Sequence, residues 1–299
     1  KIKKPVDLGY LDYTTLEKRR FLCQREVELN RRLCPDTYLD VVPVIKRRAG
    51  FRLGGRGKAI EYTVKMRRLP QDKMLNVLLA NNQVSPEMIT QVAQKLAEFH
   101  QKAETSAAIS SFGDLDTVTR NTKENFDQTL KYIGITISQR QFRRIKAYTE
   151  AFLKDYRPLF FKRIADGRIR DCHGDLHAAH ICFTDGICIY DCIEFNDRFR
   201  YGDVAAEVAF LAMDLDHYGR ADLSRTFVQA YLTYSQDEKL LQLLNFYKCY
   251  RAYVRGKVES FKFDDLYFSP EEKGEISNFA RKYFELAESY IGEQGAAQP

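Results

Sequence analysis

His173-Gly174-Asp175-Leu176-His177-Ala178-Ala179-His180 is followed, a few residues on, by Ile187-Cys188-Ile189-Tyr190-Asp191-Cys192-Ile193-Glu194. Three of the five histidines fall in the first run, and a fourth, His217, lies downstream. A loop can present an aspartate, several imidazoles and a glycine with unusual backbone angles to a cleft without disturbing a core. Residues 179–183 and 187–191 are short apolar segments around Thr184-Asp185-Gly186, a compact hairpin signal. One turn of chain therefore brings Asp191 and Glu194 back beside the first loop.

That pairing of carboxylates has a specific use. Phosphoryl transfer needs one carboxylate to orient and deprotonate the attacking hydroxyl, and another to hold magnesium against the β- and γ-phosphates. Asp175 and Asp191 fit those two roles. Magnesium dehydrates reluctantly and favours a carboxylate, water and the phosphate oxygens themselves.

HGD, a further residue five positions after its aspartate, and a hairpin ending in apolar-apolar-Asp-x-x-Glu resemble the catalytic segment of the aminoglycoside phosphotransferase-like kinases. The resemblance is close over residues 171–214, including Tyr201-Gly202-Asp203, and looser over most of the chain. More narrowly, the segment looks like the first domain of bacterial bifunctional aminoglycoside phosphotransferase/ATP-binding proteins, in which a separate P-loop kinase domain often follows. The resemblance implies an α+β, two-lobed protein-kinase-like fold, with ATP and Mg2+ as cofactors and a small-molecule hydroxyl acceptor. It makes Asp175, beside His173, the catalytic base and Asp191 the principal metal ligand. His180 stands where asparagine is the commoner second ligand, and imidazole is a less natural magnesium partner. Lys1 or Lys3 would be the strand lysine that contacts phosphate, Glu26 its helix partner, and Met66, Arg67 and Leu69 the hinge whose backbone holds adenine. The glycine-rich nucleotide loop would lie upstream of Lys1. A nucleotide-binding pseudokinase acting as a partner-binding module is the alternative, motivated by His180.

Working outward, residues 1–5 read as the end of a strand, with Lys1 and Lys3 on one face and Pro5 stopping the ladder. Thr14 or Thr15 caps an amphipathic helix running to about Leu33. Residues 39–45 and 61–66 form an antiparallel pair across a glycine-rich connection. Helices follow: Ser85 caps one to Lys102, and further patterns cover residues 122–132, 139–161, 204–215, 223–234, 238–261 and 270–291. The expected divisions are a nucleotide-binding lobe at 1–69, a catalytic and substrate lobe at 70–292 and a flexible tail at 293–299.

Other chemistries are poorly supported. Cys172, His173, His177, His180 and Cys182 lie close in sequence, but their spacing is not that of a structural zinc site. Gly54-Gly55-Arg56-Gly57-Lys58 fails as a phosphate loop, because Arg52 stands where its first glycine belongs and Ala59 follows the lysine. His100 and Asp203 read as structural. Net charge is +6, from 47 basic and 41 acidic residues, too well mixed for a nucleic-acid arm. No run approaches the ~20 apolar residues of a membrane helix. The seven cysteines lack CxxC pairs, so most read as buried thiols of a cytoplasmic protein. Lys239, Lys248, Arg251, Arg255 and Lys257, on a helix expected to meet the acceptor, lean toward an anionic or neutral one.

Overall fold

The computed structural model describes residues 1–48, 50–265 and 267–292; the tail expected at 293–299 lies outside the described residues. In chain order the elements are α1 (Leu16–Arg31), β1 (Tyr38–Arg47), β2 (Gly50–Leu53), β3 (Ala59–Met66), α2 (Leu75–Ala80), α3 (Pro86–Lys102), α4 (Ala107–Ser110), α5 (Leu115–Thr129), α6 (Gln139–Asp155) and α7 (Arg157–Ala165). There follow β4 (Ile169–Asp171), β5 (Ile181–Phe183), β6 (Ile187–Ile189), α8 (Asp197–Arg200), β7 (Tyr201–Asp203), α9 (Val204–His217), α10 (Ala221–Ser235), α11 (Leu241–Phe261) and α12 (Pro270–Ser289). The class is α+β: the one three-stranded sheet among the described residues comes early, and helices dominate after it.

The chain forms two compact units. The first combines Lys1–Ser85 with His173–Arg200, and the second holds Pro86–Cys172 with the described residues from Tyr201 onward. The hairpin that carries Asp175 and Asp191 is thus grouped with the N-terminal residues.

In the first unit the sheet runs β2-β1-β3, all antiparallel. Pro43 sits inside the central strand without breaking it. Its carbonyl accepts from Gly54 N–H just beyond the β1–β2 ladder, so the missing proline N–H falls where no strand partner is required. The expected first strand reduces to a single antiparallel bridge, Ile2 to Thr63, which places Lys1 and Lys3 on one side of β3. Thr15 caps α1, accepting from Lys18 N–H at 3.2 Å. Cys23 and Val27 of α1 pack on Tyr38 and Val64 of the sheet. A second cluster gathers Cys34, Leu69, Met74, Cys182 and Cys188. Here the reading of the cysteines needs correction, because Cys34 and Cys188 form a disulfide with Cα atoms 4.7 Å apart. They are 154 residues apart in sequence, so no local spacing announces the bond. The other five cysteines are buried thiols outside the disulfide, as expected.

In the second unit α9, α11 and α12 contribute Phe210, Met213, Cys249, Tyr253, Tyr283 and Phe284 to an aromatic-rich core, joined by Phe126 and Phe142 from α5 and α6. The helix expected over 139–161 is two helices, broken at Tyr156, because Pro158 cannot continue α6 and instead occupies the first turn of α7. Helix α5 begins seven residues before its expected start at Thr122. The antiparallel pair β4–β7, three residues each, was not expected. Asp203 at the end of β7 caps α9 through Ala205 N–H and receives two bonds from buried Arg163, as its structural reading required. No described helix is long and apolar enough to cross a membrane.

Candidate active site

The expected site residues converge within the first unit, where β5 and β6 hold the loop that begins at His173 against the segment from Asp191. Gly174 makes the entry possible. Its φ is +90°, and a Cβ there would stand 2.8 Å from the Phe199 carbonyl oxygen and 3.2 Å from Arg200 Cα, so glycine is required both by conformation and by space. His173 is fully buried. Its Nε2 donates to the Tyr190 carbonyl at 2.9 Å, which leaves Nδ1 to accept from Asp175 N–H at 3.3 Å. The imidazole is thus a strut between the hairpin and the Asp175 backbone, while Asp175 keeps a partly exposed carboxylate.

Asp191 follows β6 in the left-handed region, at φ +65°. Such a conformation costs a non-glycine residue on the order of 1 kcal/mol or more, and persists where neighbours over-determine it. Those neighbours are present: Asp191 N–H donates to Tyr38 Oη at 3.3 Å, and Cys192 N–H donates to Asn30 Oδ1 at 2.9 Å. Asn30 is itself anchored, donating to the Glu26 carbonyl one turn back in α1. The result aims the Asp191 side chain back toward β3. Its Oδ1 pairs with Lys1 Nζ, and Lys1 Nζ also lies 3.0 Å from Glu26 Oε1.

Lys3 makes a second set. Its Nζ is 2.7 Å from Glu26 Oε2, pairs with Glu194 Oε1, and donates to Tyr13 Oη at 3.3 Å, while Tyr13 in turn donates to Glu194. Glu26 is therefore shared, one oxygen per lysine. The sets differ in access: the Lys1 and Asp191 side chains are 38% and 43% exposed, whereas Lys3, Glu26 and Glu194 are buried. Burial opposes the charge on Lys1, but the Asp191 and Glu26 carboxylates outweigh it and raise its pKa. For Lys3, burial is likewise outweighed, by Glu194 and Glu26. Asp191 shows the converse: burial pulls its pKa up, and Lys1 more than offsets that, leaving the carboxyl below its usual range.

His180 lies between the two expected catalytic aspartates. Its Nδ1 is 2.9 Å from the Asp175 carbonyl oxygen and 3.6 Å from Asp175 Oδ2, and its Nε2 is 3.6 Å from Asp191 Oδ2. Burial, with help from His177, lowers its pKa to about 4, so the ring is neutral at pH 7. The His177 ring packs against it, centroids 4.0 Å apart, with Nε2 3.6 Å from Asp175 Oδ2. Asp175, His177 and His180 thus form a compact group of potential metal-binding atoms. Cys172, a member of the rejected zinc set, instead neighbours His100 and Glu207 in the second unit. There His100 is spent on Glu207 and Tyr231, each at 2.8 Å, which fits its structural reading.

The expected hinge continues from the end of β3. Arg67 N–H is taken by the Thr37 carbonyl at 2.9 Å, and Leu69 turns its side chain into the core with Cys34 and Met74, while Arg67 and Arg68 are exposed. The basic residues around α11 are engaged within the protein. Lys239 pairs with Asp166, Lys248 with Asp216, Arg255 with Glu259, Lys257 reaches Asn125 and Gln128, and Arg251 donates to the Ala206 carbonyl. Their number therefore carries no preference for an anionic acceptor. Tyr13, Asn30 and Tyr38 are the site residues that sequence reading missed; Glu194 was placed beside the first loop but given no role. Its signal was its place as the last residue of the Asp-x-x-Glu run, and the other three have none.

Asp175 in its loop, Asp191 after β6 and Lys1 held by Glu26 lie around His180 in one constellation, and the sequence over residues 20–244 matches the phosphotransferase enzyme family known as APH. The chain belongs to that family. It is 35% identical over 264 residues to uncharacterized proteins of Mycobacterium bovis and Mycobacterium tuberculosis, covering 88% of this chain and 51% of theirs. It therefore spans about half the length of the curated relatives it matches. Among solved structures it is similar to a glucosamine kinase, with TM-score 0.48 and 16% identity over 92% of this chain and 71% of that one. A Plasmodium vivax ethanolamine kinase gives TM-score 0.43 and 11% identity over 96% and 74%. The aminoglycoside phosphotransferase-like kinase family expected from the catalytic segment is thus borne out.

Proposed function

We propose that this phosphotransferase moves the γ-phosphoryl group of ATP to a hydroxyl of a small-molecule acceptor. The observation that carries the reading is the division of Asp191, with one oxygen on Lys1 and the other turned toward His180. A carboxylate so divided can steady a phosphate-binding lysine and still offer an oxygen to a cation.

Lys1 is the phosphate-contacting lysine of the pair, because its side chain keeps solvent access where that of Lys3 does not, and Glu26 holds it in place. Lys3 is assigned to the buried framework with Glu194 and Tyr13. Asp191 and His180 would hold the divalent ion, which when bound neutralises charge developing on the transferred phosphoryl group. Asp175 orients the acceptor hydroxyl and accepts its proton at a carboxylate oxygen. His173 is a positioning residue, since both its nitrogens are engaged and its bond to Asp175 N–H sets the angle of that backbone. Backbone of the 66–69 segment is the part offered to the base of the nucleotide.

The test is nucleotide binding and turnover by the purified chain, beside Asp175→Asn. With the divalent ion present, Asp175→Asn is expected to bind ATP as well as the parent and to lose on the order of 10²–10⁴ in turnover, the range of a missing general base. Turnover undiminished in Asp175→Asn would remove that residue from the chemistry. Binding without turnover in the parent would favour the pseudokinase, and absence of binding would sink both.

A further inference from the structure

His180 presents a nitrogen at the position facing Asp191, and its hydrogen bonding fixes which one. A backbone carbonyl can only accept, so the 2.9 Å contact with the Asp175 carbonyl requires the proton on Nδ1. Nε2 is left with a lone pair, directed to the side where Asp191 Oδ2 lies 3.6 Å away. The competing oxygen of Asp191 is already committed to Lys1. Two neighbouring contacts hold the ring in this attitude: His177 at a centroid distance of 4.0 Å and Tyr190 at 5.6 Å. A carbonyl-anchored imidazole with its far nitrogen aimed at a carboxylate is the arrangement by which proteins orient metal-binding histidines. Donors that share one ion at about 2.1 Å and right angles stand about 3 Å apart, so roughly half an ångström of closure suffices.

We propose that His180 Nε2 and Asp191 Oδ2 form a mixed nitrogen–oxygen pair that selects a first-row transition-metal dication over Mg2+. This rests on the reading of Asp191 as the metal-holding residue. Mg2+ is a hard ion that takes oxygen and gives up water reluctantly, whereas affinity at nitrogen-containing sites rises from Mn2+ through Co2+. Mn2+, at the foot of that order, is the most demanding probe. A preference shown by Mn2+ is the least that the donor set should produce.

The experiment uses the full chain, labelled with 15N-histidine, and a non-hydrolysable ATP analogue. Mn2+ is titrated while the electron paramagnetic resonance of the free ion is followed; Mg2+ is then added as competitor, and the bound ion is examined by pulsed resonance for a directly attached 15N. The expected result is one nucleotide-dependent Mn2+ with a histidine nitrogen coupling, and a Mn2+-over-Mg2+ preference of about tenfold or more that falls by about tenfold in His180→Asn. Bound Mn2+ without histidine coupling overturns the inference but leaves the Asp191 reading standing, provided that Asp191→Asn abolishes the binding. Binding that survives Asp191→Asn, or no nucleotide-dependent Mn2+ at all, overturns both. Should His180→Asn fail to fold, the labelled parent protein alone decides, because the coupling is present or absent in it.

Discussion

Lys1 and Lys3 are two positions apart, lie on one side of β3 and share Glu26, yet their surroundings give them different work. Removing the Lys3 side chain leaves Glu26 and Glu194 as neighbouring carboxylates in a buried site, and breaking a buried pair in this way typically costs about 3–5 kcal/mol. Removing the Lys1 side chain breaks its solvent-accessible pair with Asp191, at a cost of about 1 kcal/mol or less, and leaves buried Glu26 still paired with Lys3. Lys3→Ala is thus expected to lower the free energy of unfolding in urea by several kcal/mol, and Lys1→Ala to leave it nearly unchanged while weakening nucleotide binding. Equal losses of stability in the two variants would show that the division between them is wrong. The shared face of the two lysines was legible in the sequence, since strand side chains alternate. Which of them is buried was not, because that depends on Tyr13 and Glu194, which arrive from remote segments. The left-handed backbone of Asp191 was hidden for the same reason: Tyr38 and Asn30 impose it from β1 and α1, and neither carries a local signal.

Elements were legible where a period or a cap extends over several turns. Thr15, Ser85 and Pro86 marked the starts of α1 and α3, and α9 to α12 stand close to their expected bounds. Elements of three residues, such as β4 and β7, are too short to show a period, and α2 at six residues is little longer. Periodicity also ran through Pro158, although the chemistry of proline argued for a break there. What periodicity cannot convey is how closely two helices approach. Gly256 in α11 faces Phe284 of α12 so tightly that a Cβ would stand 2.9 Å from the ring, whereas Gly274 in α12 has open space. Alanine in place of glycine gains about 1 kcal/mol of helix propensity at either position. At Gly256 that gain meets an overpacking cost of about 1–3 kcal/mol against a fully buried aromatic ring. Gly274→Ala should therefore stabilise by up to about 1 kcal/mol and Gly256→Ala should destabilise by about 1 kcal/mol, both read from urea unfolding midpoints. Stabilisation in both would mean that α11 and α12 do not meet closely at Gly256.

At the scale of the whole chain, the family and fold class were legible because a single segment, residues 171–214, carries the catalytic pattern, and its boundaries do not depend on tertiary detail. The covalent tie between Cys34 and Cys188 belongs to the same scale and had no such segment. It joins the residues after α1 to β6, three positions before Asp191, and encloses the entire stretch from Pro86 to Cys172. A crosslink over so long a loop restricts the unfolded chain strongly, and native disulfides typically contribute about 2–4 kcal/mol. Denatured protein prepared without reductant should therefore titrate five thiols, and seven after reduction. Reduction should lower the unfolding free energy by about 2–4 kcal/mol, and Cys34→Ser should reproduce that loss and make the protein insensitive to reductant. Because the bond fixes the hairpin behind Asp191, the Cys34→Ser variant is also expected to bind nucleotide more weakly than the parent. Seven thiols in the unreduced protein would remove the tie, and the placement of β6 would then rest on Leu69, Met74 and Cys182 packing around it.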